Sequence, residues 1–237
     1  MNNLVLFPKL PFIFASTYSF NSSLVRPNPP AGASERVKGS FYEVLVPFIL
    51  PTTLRTLAWA PCIAEGAIAL SKLFPSSTSS QILSVLLRNE KLPAFTLDRY
   101  VIAGTALTML GSITRIWAIR TLGRHFTYEL SIKKDHKLVT DGPYSFARHP
   151  SYVAATLATT GVAILHASPG SFLRVSGWLD SMFGKTMVAM WMMHYILGIW
   201  VAISRSKRED EYLRGHFGAE WDQYAERVKY RLIPGLV

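Results

Sequence analysis

Three stretches of this sequence hold residue types able to do chemistry. In SFARHPSY, residues 145–152, Arg148 and His149 stand directly before Pro150 and an apolar run, VAATLATTGVAI. Proline suits the first turn of a helix, where its missing N–H costs nothing. The two cations therefore fall at a helix N-terminus, where unpaired N–H groups and the helix dipole already favour an anion. A carboxylate is a suitable guest. The plainer reading is a helix anchored at lipid headgroups by its cations, and this stretch alone leaves both open.

The second stretch is SRSKREDEYLRGHFGAEWDQY, residues 204–224. Arg205 and Glu209 are spaced i,i+4, and Glu209 and Tyr212 i,i+3, so all three share one helix face. A solvated helix laced with charge pairs would look the same. The third is HKLVTDGPY, residues 136–144, in which Asp141-Gly142-Pro143 is a turn signal and His136 reads either as polar loop surface or as a ligand-contacting group. His125, Asp135 and His136 lack the spacing of a metal site, and no serine sits in a nucleophile elbow. No metal is expected.

The elements that must carry these groups are apolar. Of 237 residues, 49% are hydrophobic and 17% charged, with a net charge of +10, which favours an integral-membrane protein over a soluble domain. Basic balance suggests nucleic acid or an anionic membrane surface; here the charges flank apolar segments, so the lipid bilayer is the expected partner and nucleic acid is not. The single cysteine, Cys62, excludes a disulfide framework and is expected to be buried.

The first twenty residues, broken by Pro8, Lys9 and Pro11, read as a short interfacial or re-entrant helix rather than a cleaved signal peptide. Residues 21–40 read as a linker. Residues 41–74, interrupted by Pro47, Pro51 and Pro61, give one kinked span or two half-spans, and 82–96 an amphipathic connector. Tyr100–Leu122 is long enough to cross the hydrocarbon core, with Arg115 and Arg120 snorkelling to the interface. Shorter spans follow at 151–167 and from Met187. His194, inside the last span, is expected to be neutral and bonded to another helix. Gly104, Gly111 and Gly161 read as helix-packing positions.

The pattern is an all-α integral membrane bundle of about four to six transmembrane helices. Its organisation is an N-terminal segment and linker (1–40), N-terminal spans (41–119) and a C-terminal region (120–237) with two spans and a charged helix. The charged blocks 120–148 and 205–231 are joined by two spans, so they lie on one side, and the positive-inside tendency places them in the cytosol.

HKLVTDGPYSFARHPSY, an apolar hairpin, and then RSKREDEYLRGHFGAEWDQY together resemble the isoprenylcysteine carboxyl methyltransferase family, within the membrane methyltransferases that also include phospholipid methyltransferases. The resemblance covers roughly 120–234. It implies S-adenosylmethionine-dependent methylation of the C-terminal carboxylate of a prenylated protein or prenylcysteine at the endoplasmic reticulum membrane. By motif, His136, Lys137, Leu138, Val139, Tyr144, His149, Pro150, Ser151 and Tyr152 would line the cofactor, and Glu209 would hold a polar part of it. Arg205 would face the substrate carboxylate, with Arg148 in support. Two positions depart from the pattern: Glu129 stands where the family has a cofactor-contacting Gln, and Ala154 where a Gly is frequent.

The rivals are a phospholipid or other small-lipid methyltransferase, a nicotinamide-dependent membrane sterol reductase, whose C-terminus the tail also resembles, and a non-enzymatic membrane adaptor on the same scaffold. The last residues, RLIPGLV, hold no prenylation box of their own.

Overall fold

The computed structural model describes residues 7–32, 35, 41–129, 131, 135–233 and 235. Part of the expected linker, 33–34 and 36–40, lies outside these, as do residues 1–6. The regular structure of the described chain is helical, with no strand among its described residues. In order, its helices are α1 (Lys9–Ser23), α2 (Phe41–Leu73), α3 (Ser77–Leu86), α4 (Arg99–Leu122), α5 (Pro150–His166), α6 (Phe172–Val175), α7 (Met182–Phe217) and α8 (Ala219–Arg227).

The expected prolines act where their geometry allows. Pro11 sits in the first turn of α1, where no intrahelical N–H bond is lost, so that helix forms in spite of it. Pro150 opens α5, as its missing donor predicts. The prolines of α2 do not divide it: the helix runs unbroken for 33 residues. The connector expected over 82–96 is shorter, since α3 ends at Leu86 and an extended loop leads to α4. The last span and the start of the charged tail form one 36-residue helix, α7, which ends at Gly218. There the backbone turns to φ 55°, a left-handed value open to glycine, before α8 begins.

Among the described residues two helices are long and apolar enough to cross a membrane: α4 with the 3-10 turn after it, Arg99–His125, and α7. The two faces of α4 differ. On α4 the buried stripe is Val101, Gly104, Thr108, Gly111, Ser112, Arg115 and Ala118, small or polar at helical spacing. Ile102, Leu110, Ile113 and Trp117 face outward. That inverts the pattern of a water-soluble helix and matches the small-residue packing of helices in lipid.

The chain divides into two compact units. The first draws on Met1–Asn21, Leu54–Met109 and Leu157–His194. At its centre the ammonium of Lys9 lies 2.8 Å from the Glu65 carboxylate, with both side chains buried. Glu65 also accepts from the Phe172 backbone N–H at 2.9 Å, and Lys9 reaches the carbonyls of Ala94 and Gly170. A buried charge is tolerated only when paired and hydrogen-bonded. This pair therefore ties together α1, α2 and the loops before α4 and after α5. Ile68, Phe95, Phe172 and neighbouring side chains form the apolar core, and Cys62 is buried beside Ile13 and Leu165, as expected. Gly104 and Gly161 are packing positions here: a Cβ on Gly104 would lie 2.6 Å from the Leu165 backbone nitrogen.

The second unit draws on Ser22–Thr53, Leu110–Thr156 and Tyr195–Val237. It holds both charged blocks.

Candidate functional site

The SFARHPSY stretch is fixed from two sides. The turn before it forms at Gly142, φ 57°, followed by a 3-10 turn, Gly142–Ser145, which is the Asp-Gly-Pro signal of the sequence. The backbone N–H groups of Arg148 and His149 then donate to the carbonyls of Tyr230 and Arg231, at 3.0 and 2.9 Å. The tail beyond α8 thus takes the N–H groups that the sequence left open for an anion. Arg148 reinforces the strap: its guanidinium donates to the Val228 carbonyl at 3.1 Å and pairs with Asp210 at 3.1 Å.

His149 is buried, with both ring nitrogens facing carboxylates. Nε2 lies 2.6 Å from Asp210 Oδ1, and Nδ1 3.1 Å from Glu209 Oε2. Burial alone would lower its pKa. Hydrogen bonds and charge from Asp210 and Glu209 outweigh that and hold it above the ordinary histidine value. Tyr152, three residues into α5, donates its hydroxyl to Glu209 Oε1 at 2.7 Å. Arg205, one helical turn before Glu209, brings Nε to 3.3 Å from the same oxygen. That is an ion contact without hydrogen-bond alignment, and this buried Nε has no hydrogen-bond partner among the described residues.

One cluster therefore joins Arg148, His149 and Tyr152 to Arg205, Glu209 and Asp210. The two charged blocks meet as the shared-side argument expected. Tyr152, rather than Tyr212, completes the Glu209 face. Asp210 was missed by sequence reasoning, because KREDE offers three adjacent acids and only the register of α7 selects among them.

The other expected residues fall nearby in the chain but not in the cluster. Tyr144 is buried, its hydroxyl 3.4 Å from the Ala118 carbonyl and its own carbonyl accepting from Tyr224 at 2.8 Å. Leu138 packs on Trp221, Tyr224 and Val228. The His136 ring lies 4.7 Å from that of His125 and 5.7 Å from that of Phe217. Lys137 is exposed and Val139 half-buried. Ser151 is held by Arg115, whose guanidinium donates to its hydroxyl at 2.7 Å and to its carbonyl at 2.8 Å. Glu129 pairs with Arg26 at 2.9 Å. Among the described residues no group of His, Cys, Asp and Glu could hold a metal.

Two expectations are corrected. Arg115 does not snorkel: it is buried, donating also to the Ser23 carbonyl at 3.0 Å and to the Tyr128 hydroxyl at 3.3 Å. Its place five residues inside Arg120, on the buried stripe of α4, was the available signal. His194 is bonded within its own helix, Nδ1 lying 2.6 Å from the Met190 carbonyl.

The fold and this cluster define a helical protein with membrane-length helices and paired cation–carboxylate motifs. The model of the isoprenylcysteine carboxyl methyltransferase family matches residues 104–184, the segment that carries SFARHPSY. Protein-S-isoprenylcysteine O-methyltransferase B of Arabidopsis thaliana is 32% identical over 127 residues, covering 53% of this chain and 55% of its own. The Saccharomyces cerevisiae protein-S-isoprenylcysteine O-methyltransferase is 29% identical over 167 residues, 66% of this chain and 62% of its own. A Delta(14)-sterol reductase of Neurospora crassa is 30% identical over 128 residues but over only 26% of its length. The chain spans a little over half the length of the methyltransferase relatives it matches.

Proposed function

We propose that this protein transfers a methyl group from S-adenosylmethionine to the C-terminal carboxylate of a prenylated cysteine. The reaction takes place at the cytosolic face of the endoplasmic reticulum membrane, in a multi-pass bundle of four to six spans whose catalytic region is 120–237. The observation that carries this reading is the charge of the cluster. With His149 protonated, three cations (Arg148, His149, Arg205) face two carboxylates (Glu209, Asp210). The cluster then carries one net positive charge, and a buried guanidinium nitrogen of Arg205 has no hydrogen-bond partner among the described residues. An anionic acceptor supplies both the missing charge and the missing acceptor atom.

The residues also fit S-adenosylmethionine. Aromatic rings of Tyr144 and Tyr152 suit a cationic sulfonium, a carboxylate at Glu209 suits its hydroxyl or ammonium groups, and Leu138 and Val139 are apolar. His136, Lys137, Leu138, Val139, Tyr144, His149, Pro150, Ser151, Tyr152 and Glu209 would hold it, bordered by Glu129. When bound, it supplies an electrophilic methyl on sulfur. A carboxylate acceptor, with a reference pKa of about 3.3–3.7, is already ionised at neutral pH. The protein's task is therefore alignment and desolvation rather than proton removal. Arg205 orients the carboxylate, Tyr152 and His149 hold Glu209 in place, and Arg148 fixes the tail and adds positive potential.

The test is direct. Purified protein in detergent is given radiolabelled S-adenosylmethionine with a prenylcysteine analogue, with phosphatidylethanolamine, or with neither. Base-labile, volatile label with the prenylcysteine alone supports the ester. Label confined to amine headgroups overturns it in favour of a lipid methyltransferase. Oxidation of a reduced nicotinamide with a sterol would favour the reductase that the Neurospora similarity brings to mind.

A further inference from the structure

Arg55 stands near the middle of α2, an apolar helix of 33 residues, and is half-buried there. The same compact unit gives its buried cation Lys9 a carboxylate. Arg55 has none: among the described residues its one polar contact is with the last turns of α1, where its Nε donates to Asn21 Oδ1 at 2.8 Å.

That bond decides what the pair can offer a guest. With Oδ1 turned to the guanidinium, Asn21 keeps Nδ2 as a donor, and the two terminal nitrogens of Arg55 are donors in any case. The pair therefore presents donors and one positive charge. A matching guest accepts hydrogen bonds and carries negative charge, as a phosphate does.

The residues that continue from the pair are aromatic and apolar. On α1, Phe14 and Tyr18 are spaced i,i+4, and Tyr18 and Asn21 i,i+3; on α2, Arg55, Trp59 and Ile63 follow one another at i,i+4. Each set shares one helix face. The two faces meet, since the Phe14 ring lies 5.7 Å from that of Trp59 and 6.4 Å from that of Tyr18. Phe14, Tyr18 and Ile63 are exposed. A strip of ring and hydrocarbon thus leads away from the cation along both helices. Tyr, Trp and a cation side by side are the pattern of side chains at the level of lipid headgroups, and a guanidinium among apolar side chains is costly until an anion meets it.

A phospholipid answers both halves of this surface, with phosphate oxygens for the donors and hydrocarbon for the strip. We propose that Arg55 and Asn21 bind the phosphate of a membrane phospholipid, with its acyl chain lying along Phe14, Tyr18, Trp59 and Ile63.

The test is binding to full-length protein, purified in detergent and stripped of lipid. It is titrated with dioleoylphosphatidylglycerol, with dioleoylglycerol, which keeps the chains and lacks the phosphate, with oleate, and with inorganic phosphate. Native mass spectrometry counts bound lipid, and melting temperature follows its effect. Phosphatidylglycerol should bind wild type and raise its melting temperature, ahead of the other three. Arg55→Gln, which can still bond Asn21 but has no charge, should bind it about tenfold more weakly or worse. Arg55→Lys, which keeps the charge without the fork, should fall between. Asn21→Leu removes only the amide donor and should show a smaller loss, so the comparison survives if Arg55→Gln melts early without lipid. Wild-type protein that binds no phosphatidylglycerol overturns the proposal. So does dioleoylglycerol, oleate or inorganic phosphate binding as tightly, or undiminished phosphatidylglycerol binding in Arg55→Gln and Asn21→Leu.

Discussion

His149 Nε2 lies 2.6 Å from Oδ1 of Asp210, a residue 61 positions further along the chain. With Nδ1 beside Glu209, both ring nitrogens face acceptors. Only the imidazolium donates from both, so the site is built around a protonated histidine. The contact also joins the start of α5 to the far end of α7.

A pH dependence follows from that charge. The folded pKa of His149 is raised above its ordinary value of 6.5. The stability it contributes is therefore fully present below about 6.5 and is lost as pH rises through the raised value. Melting temperature in detergent should fall along that alkaline arm, and His149→Gln should flatten it. An arm that survives in His149→Gln would assign it to another group.

Asp210→Asn removes the charge facing both His149 and Arg148. It should cost roughly 1–3 kcal/mol, because it weakens two partly buried charge-assisted contacts, and shift the alkaline arm to lower pH. Asp222→Asn, whose partner Arg214 is mostly exposed, should stay within about 0.5 kcal/mol. Melting curves of the two variants make the comparison, and equal losses would count against the Asp210 contacts.

Arg205→Ala should abolish carboxyl methylation, with kcat/KM down on the order of a hundredfold or more, since a desolvated charge contact is worth several kcal/mol. Binding of S-adenosylmethionine, followed by equilibrium dialysis, should persist. Equal loss of both would move Arg205 from the acceptor to the cofactor.

Lys9→Met leaves the Glu65 carboxylate buried without its cation and should destabilise the first unit by roughly 3–5 kcal/mol. The double variant Lys9→Met with Glu65→Leu should recover most of that, because removing both charges is far cheaper than removing one. Thermal unfolding of the three proteins in detergent supplies the cycle, and a double variant as unstable as the single would show that the pair itself stabilises.

Gly104→Val sets side-chain atoms against the α5 backbone, where even a Cβ comes within 2.6 Å of Leu165 N, and should cost about 1–3 kcal/mol or more. Gly66→Ala has open space around its Cβ and should gain about 0.5–1 kcal/mol from helix propensity. Melting temperatures moving in opposite directions would bear out the close α4–α5 approach.

Much of the local structure was legible because it depends on neighbours within a turn. Pro150 starting α5, Gly142 turning the chain before it, and Arg205 and Glu209 sharing a face all follow from local geometry. The small-residue stripe of α4 was readable at Gly104, and Cys62 was rightly placed inside. Arg115 was misjudged because rules for charges near a span end do not say which face of the helix packs inward. His194 was misjudged because a helix carbonyl four residues back competes with any partner on another helix.

What the sequence determined by itself was that the chain is mainly helical, where α5 begins and the chain turns before it, and the motifs it displays. Which charges meet was decided only by the tertiary structure. Glu209 and Asp210 are adjacent and about 100° apart around α7, yet both reach His149, while Glu129 finds Arg26 and Glu65 finds Lys9 across 103 and 56 residues. No local rule reaches that far. The depth and rotation at which helices pack set those partners, and a buried charge admits no arrangement that leaves it unpaired.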